Sequence, residues 1–306
     1  MKVFITGANG FIGSHICTYF FENGHSVFGL DRNFVQAAWT SVKLDMADEK
    51  AIMNALTDVM PDIIIHCAGS ADVGKSVADP LSDFVGNVTL THNLLFAVHK
   101  AGLQNTRIVF LSSAAVYGNP EILPITEEAG VNPLSPYALH KVMCEDICKY
   151  MHSNYGMDVK ILRVFSAYGE GLKKQIFWDM YQKSKDTGNL SMYGTGKESR
   201  DYIHIKDLIH AIYLVSIEAR SDDCIFNIAS GEETTIREAT EFFANAIEME
   251  KEKILFTGEA KEGNPINWRA DISKLKGLGY TKSVSMQDGI MRYVKWLKNT
   301  SGNGVV

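Results

Sequence analysis

Tyr137 and Lys141, in the run Tyr137-Ala138-Leu139-His140-Lys141, place a phenol and an ammonium four residues apart, on one face of a helix. A free tyrosine titrates near ~10 and is a poor base at neutral pH, whereas a lysine beside it favours the phenolate. Lowering that pKa to about 7 corresponds to ~4 kcal/mol, within the span documented for active sites. Such a phenol can take a proton from a hydroxyl while hydride leaves the same carbon. The spacing alone is common on helix surfaces, and its weight comes from what precedes it. Thr6-Gly7-Ala8-Asn9-Gly10-Phe11-Ile12-Gly13 sets glycines at spacing three and three between a strand and a helix. Gly7, Gly10 and Gly13 permit a tight turn and close approach of backbone to a pyrophosphate, with helix N–H groups facing the anion. Asp31, 24 residues after Gly7, stands where an acid accepts hydrogen bonds from an adenosine ribose. A carboxylate there repels a 2′-phosphate, which favours NAD over NADP. Arg32 follows directly and would welcome that phosphate, so NADP stays open. Between the turn and the phenol, Leu111-Ser112-Ser113 ends another strand and offers two adjacent hydroxyls.

Groups so far apart in sequence meet only if several strand ends converge. Short β-type runs at 3–6, 26–30, 41–45, 60–69, 107–113 and 159–165 alternate with helical patterns at 12–23, 83–100 and 136–155. That alternation predicts a parallel sheet covered on both faces. Ser135 and Pro136 mark the start of the third helix, as cap and first residue. After Phe165 the regularity weakens through a glycine-containing stretch to 204, followed by a helix at 207–219, a strand at 224–230, and helices at 233–248 and 285–298.

Composition excludes other classes. The 306 residues carry a net charge of −6, so no basic surplus awaits a phosphate backbone and nucleic acid is not an expected partner. The longest apolar runs, 62–69 and 108–111, fall well short of the ~20 residues a bilayer requires. The first residues show no cleavage-site pattern. Cys17, Cys67, Cys144, Cys148 and Cys224 are odd in number and lack metal-ligand spacing, which reads as reduced thiols of a cytoplasmic protein with no metal. His66, His140 and His204 are read as structural histidines.

Six motifs in register carry a resemblance: TGANGFIG at 6–13, HCAG at 66–69, SSAAVYG at 112–118, SPYALHK at 135–141, LRVF at 162–165 and RDYIHIKD at 200–207. Together they resemble the extended short-chain dehydrogenase/reductase family, the NAD-dependent epimerases and dehydratases of nucleotide sugars, from residue 1 to about 298. The resemblance implies an α/β fold, a Rossmann-type doubly wound parallel sheet with a smaller C-terminal α/β substrate-binding lobe. It implies NAD binding by 1–165, with the chain returning at about 207–230, and substrate binding by 166–206 and 231–300. Ser113 matches the hydroxyl on the reacting oxygen, Tyr137 the acid–base and Lys141 its partner on the nicotinamide ribose. Asn9, Phe11 and Ile12 are implied at the pyrophosphate, Asp45 and Met46 by adenine, Ala68 and Gly69 along the cofactor, and Asn87 and Phe165 near the nicotinamide half.

For the substrate, the resemblance implies a nucleotide-diphosphate sugar held by Arg200 and Arg269, with Tyr193 against the base. Ser166 departs from the family's usual asparagine, and Ala71 from a lysine of the galactose-type enzymes. Ala114 and Ala115 stand where dehydrating members carry an acid, and methyl groups transfer no protons. The expectation is therefore 4-epimerisation through a transient ketone. The alternative is a 4-keto-sugar reductase, which the short 31–45 segment favours, and a non-catalytic sensor ranks last. A homodimer through helices 83–100 and 136–155 is implied as well.

Overall fold

The computed structural model of the chain describes residues 1–258 and 266–302. Seven parallel strands form its centre: β1 (Lys2–Thr6), β2 (Ser26–Asp31), β3 (Thr40–Lys43), β4 (Ile63–His66), β5 (Arg107–Ser113), β6 (Val159–Val164) and β7 (Ile225–Ile228). Their order is β7-β6-β5-β4-β1-β2-β3, so chain direction across the sheet reverses between β1 and β4. Open sheets bind ligands outside the carboxyl ends of their strands at such a reversal.

The strands read as nearly continuous apolar runs because both faces are covered. Side chains alternate between faces, and the two cores follow that period. Val3, Ile5, Ile65, Val109 and Leu111 enter one cluster. Phe4, Ile64, Ile108 and Phe110 enter the other, with Cys144 and Cys148 from the helix above them. That helix, Pro136–Tyr155, starts as the sequence leads one to expect, with Ser135 Oγ accepting from Ala138 N at 3.2 Å and Pro136 in the first turn. It ends at Gly156, in the left-handed conformation.

The helix expected over 83–100 begins earlier, at Pro80, and carries a π-turn at Val85–Thr89 before continuing as Leu90–Lys100. Apolar periodicity does not register one inserted residue, which is why the sequence hides this feature. A third core, with Tyr168, Phe177, Met180, Tyr202, Phe243 and Tyr293, lies among the elements that follow β6. It includes a helix absent from the sequence reading, Gln175–Asp186, whose start has no side-chain cap to announce it. Short strands accompany it: Ser166–Tyr168 pairs with Tyr202–His204, and Leu190–Met192 pairs with Ile254–Phe256. Among the described residues no helix is long and apolar enough to cross a membrane, and no three His, Cys, Asp or Glu groups gather as a metal site.

Candidate active site

The turn after β1 is built on absent side chains. Gly7 has φ +67°, and a Cβ there would lie 2.7 Å from Ala68 N, so the turn touches the end of β4. A Cβ on Gly13 would lie 2.1 Å from Gly7 O, so the helix Phe11–Glu22 starts hard against the turn. Gly10 precedes that helix without a side-chain cap, which leaves the first N–H groups facing outward. Asp31, at the end of β2, accepts from Asn9 N at 3.2 Å and from Asn33 N at 3.3 Å. The carboxylate thus sits at the lip of the turn, while Arg32 beside it is exposed. Phe11 and Ile12 are half-buried at the helix start. Beyond β3, Asp45 is exposed and Met46 is buried in the core. A cradle that any Cβ would fill, an uncapped helix start and an acid at the next strand end fit a dinucleotide.

The end of β4 is fixed by a buried histidine. Thr6 Oγ1 meets His66 Nδ1 at 2.7 Å and accepts from Ala68 N at 3.1 Å. His66 Nε2 meets Thr91 Oγ1 at 3.3 Å, and that hydroxyl donates to Asn87 O at 2.8 Å. The chain is satisfied with His66 neutral, protonated at Nε2. Burial, then the Lys141 ammonium, push its pKa down to about 3. As pH falls from 6.5 toward that value, the unfolded chain takes up a proton that the folded state refuses, so stability falls by about 1.4 kcal/mol per pH unit. Asp201, which burial pushes up to about 6, acts with the opposite sign between 3.8 and 6. A His66→Gln variant loses the first contribution only. Its stability deficit against the parent at pH 7, read from urea midpoints, is expected to shrink by pH 4; a constant deficit contradicts this.

Ala68 and Gly69 follow directly. A Cβ on Gly69 would lie 2.7 Å from Asn87 Oδ1, an oxygen buried without a partner. Asn87 sits in the π-turn, its Nδ2 donating to Asp83 O at 3.1 Å. Such bulges recur at functional sites because they redirect a side chain from the helix register.

Tyr137 stands in the first turn of the helix Pro136–Tyr155. Its backbone N–H donates to Ser76 Oγ at 3.1 Å, and its side chain is buried. Lys141 Nζ donates to Leu111 O at 2.9 Å and lies 5.9 Å from the Tyr137 ring centre and 4.9 Å from that of Phe110. The two serines of β5 separate cleanly. Ser112 is buried and donates to Glu145 Oε1 at 2.6 Å. Ser113 is half-buried, and its Oγ accepts from Ala115 N at 3.2 Å, which leaves its proton for another acceptor. Phe165 is buried between Tyr117 and Trp268, with ring centres 6.2 and 5.8 Å away. His140 pairs instead with Asp83, at 2.6 Å. His204 caps its own helix through Lys206 N and lies 3.0 Å from Glu170.

Two arginines lie in the chain that follows β6. Arg200 Nη1 donates to Ser199 O at 2.7 Å and Ile266 O at 3.2 Å, and its guanidinium lies 5.6 Å from the Trp268 ring centre. Burial holds its pKa below the ordinary value. Arg269 Nε is buried without a partner. The acids nearest in sequence are engaged elsewhere: Asp201 accepts from Ser230, Gly231 and Ala270, and Asp271 from Ser273 N. Ser166 donates its backbone N–H to Asp201 O at 3.0 Å. Tyr193 is 62 % exposed, faced by the Lys183 ammonium at 5.7 Å.

Lys174 belongs to no motif, and the sequence offers only its position in the loop. Its Nζ donates to Ala71 O at 3.3 Å, so an ammonium reaches the backbone at position 71 from a residue far along the chain.

The model of the NAD dependent epimerase/dehydratase family matches residues 3–229. The chain is similar to UDP-glucose 4-epimerase of Mycolicibacterium smegmatis, 30% identical over 98% of this chain and 100% of that one. Among solved structures it is similar to UDP-glucuronic acid 4-epimerase of Bacillus cereus, in complex with UDP-glucuronic acid and NAD. That match has a TM-score of 0.88 and 25% identity over 98% of this chain and 100% of the other. DesIV of Streptomyces venezuelae, a dTDP-glucose 4,6-dehydratase with NAD bound, matches with a TM-score of 0.89 and 28% identity over 99% and 98% of the two chains.

Proposed function

The chain belongs to the NAD-dependent epimerase/dehydratase family, and from that membership we propose that it is an NAD-dependent nucleotide-sugar 4-epimerase with Tyr137 as its acid and base. The observation that carries the reading is the Lys141 ammonium, held by Leu111 O within 5.9 Å of the Tyr137 ring centre at the strand ends. NAD, when bound, supplies the hydride acceptor and donor that turns C4 of the sugar into a ketone and back. Gly7, Asn9, Gly10, Phe11, Ile12 and Gly13 would hold its pyrophosphate, and Asp31 its ribose. Arg32, Asp45 and Met46 would lie by adenine; Ala68, Gly69, Asn87 and Phe165 would line the nicotinamide half.

Tyr137 takes the C4 hydroxyl proton and later returns it, and Ser113 donates a hydrogen bond to the same oxygen. Lys141 stands beside the phenol ring and would also reach the nicotinamide ribose. Arg269, with a buried Nε lacking a partner, is suited to the substrate diphosphate, and Arg200, Lys174 and Ser166 assist it. Tyr193 covers the base. The nucleotide is proposed as uridine on the names of the relatives. Ala114 and Ala115 provide no second acid, which sets this chain apart from dehydration.

Leu81, Phe84, Val85, Leu139 and Met143 are exposed apolar residues on the two helices proposed to form a homodimer. The five cysteines are free, which suits a cytoplasmic protein. The test is interconversion of C4 epimers of UDP-sugars by purified protein without added cofactor. Stoichiometric consumption of added NAD(P)H instead would assign the reductase.

A further inference from the structure

Tyr137, Lys141 and Glu145 lie four residues apart in succession, on the buried side of the helix Pro136–Tyr155. Two of them are tied to successive residues at the end of β5. Lys141 Nζ donates to Leu111 O at 2.9 Å, and Ser112 Oγ donates to Glu145 Oε1 at 2.6 Å. Side chains alternate along a strand, so Ser112 is grasped on the face opposite Ser113. Glu145 is itself immobilised: Arg163 of β6 donates to Oε1 from Nε at 3.0 Å and to Oε2 from Nη2 at 2.7 Å. The guanidinium has its own anchor, Nη1 donating to Glu127 O at 3.0 Å. Glu145 and Arg163 are both buried, and a buried ion pair of this kind is weak evidence for stability by itself.

We propose that Glu145 is a positioning residue for the epimerisation: through Ser112 it sets the height of Ser113 relative to Tyr137 on the helix that Glu145 shares. The inference rests on the reading of Ser113 and Tyr137 given above. A rigid β6 anchor, one carboxylate and one hydroxyl register the strand carrying the donor against the helix carrying the base. An error of about 1 Å in such a register can cost ~10²-fold in rate.

Ser112→Ala is expected to lower kcat ten- to a hundredfold with KM changed less than twofold, and Ser112→Thr to restore most of it. Glu145→Gln is expected to lower kcat by a similar factor with KM likewise held. Wild-type kcat in Ser112→Ala overturns the proposal, as does a loss that only follows the fraction of folded protein. If Glu145→Gln does not fold, Ser112→Ala decides alone. If the parent protein fails to interconvert C4 epimers, the epimerase reading falls. The same variants are then read on reduction of a keto-sugar by added NAD(P)H, which uses the same Ser113 and Tyr137, and unchanged kcat in Ser112→Ala overturns the role of Glu145.

Discussion

Tyr137→Phe is expected to lower C4 interconversion by about 10²–10⁴-fold while bound NAD stays at the parent level. The loss follows from the number of groups able to exchange a proton at these strand ends. His66 is neutral and spent on Thr6 and Thr91, and Ser112 is spent on Glu145. Ala114 and Ala115 carry only methyl groups. Ser113 keeps its hydroxyl but has no base beside it to make it accept a proton at neutral pH. Retention of NAD is expected because the ring remains, and because Lys141 is held by Leu111 O rather than by the phenol oxygen. Rates come from coupled detection of the product epimer, and NAD content from absorbance after denaturation. A variant within tenfold of the parent rate would place the acid and base elsewhere.

Gly13→Ala is expected to abolish NAD retention, with at least a hundredfold weaker binding on titration calorimetry, and to lower the melting temperature. The new Cβ would lie 2.1 Å from Gly7 O and 2.9 Å from Gly7 C. Both are backbone atoms of the turn, so no side chain can swing away, and the helix Phe11–Glu22 must retreat from the pyrophosphate cradle. Gly130→Ala is the control. Its Cβ would meet no atom within 4 Å and its φ lies outside the left-handed region, so binding is expected at the parent level. Equal losses in both variants would mean that the loss does not come from close approach in the turn.

Much of the scaffold was legible because its signals are local. Apolar runs four to seven residues long, split by helical periodicity, identify parallel strands wherever both faces are covered. Ser135 and Pro136 mark a helix start by their own chemistry. The helix Gln175–Asp186 escaped because Lys174 at its start supplies no capping oxygen. The π-turn around Asn87 escaped because it is a change of hydrogen-bond register rather than of residue type.

Residue types and local spacing specify the groups available and their order: a glycine turn with an acid, a pair of serines, a tyrosine and lysine one helical turn apart. These follow from periodicity and local steric rules, which act within a few residues. Tertiary structure alone decided between neighbours of equal type. It engaged Ser112 with Glu145 and left Ser113 its proton, neutralised His66 between Thr6 and Thr91, and left Arg269 Nε without the acid beside it in sequence. It also brought the Lys174 ammonium to Ala71 O. Such choices join residues 25 to 103 positions apart. They are set by which elements pack together and how deeply each group is desolvated, and neither is written in the spacing of any one segment.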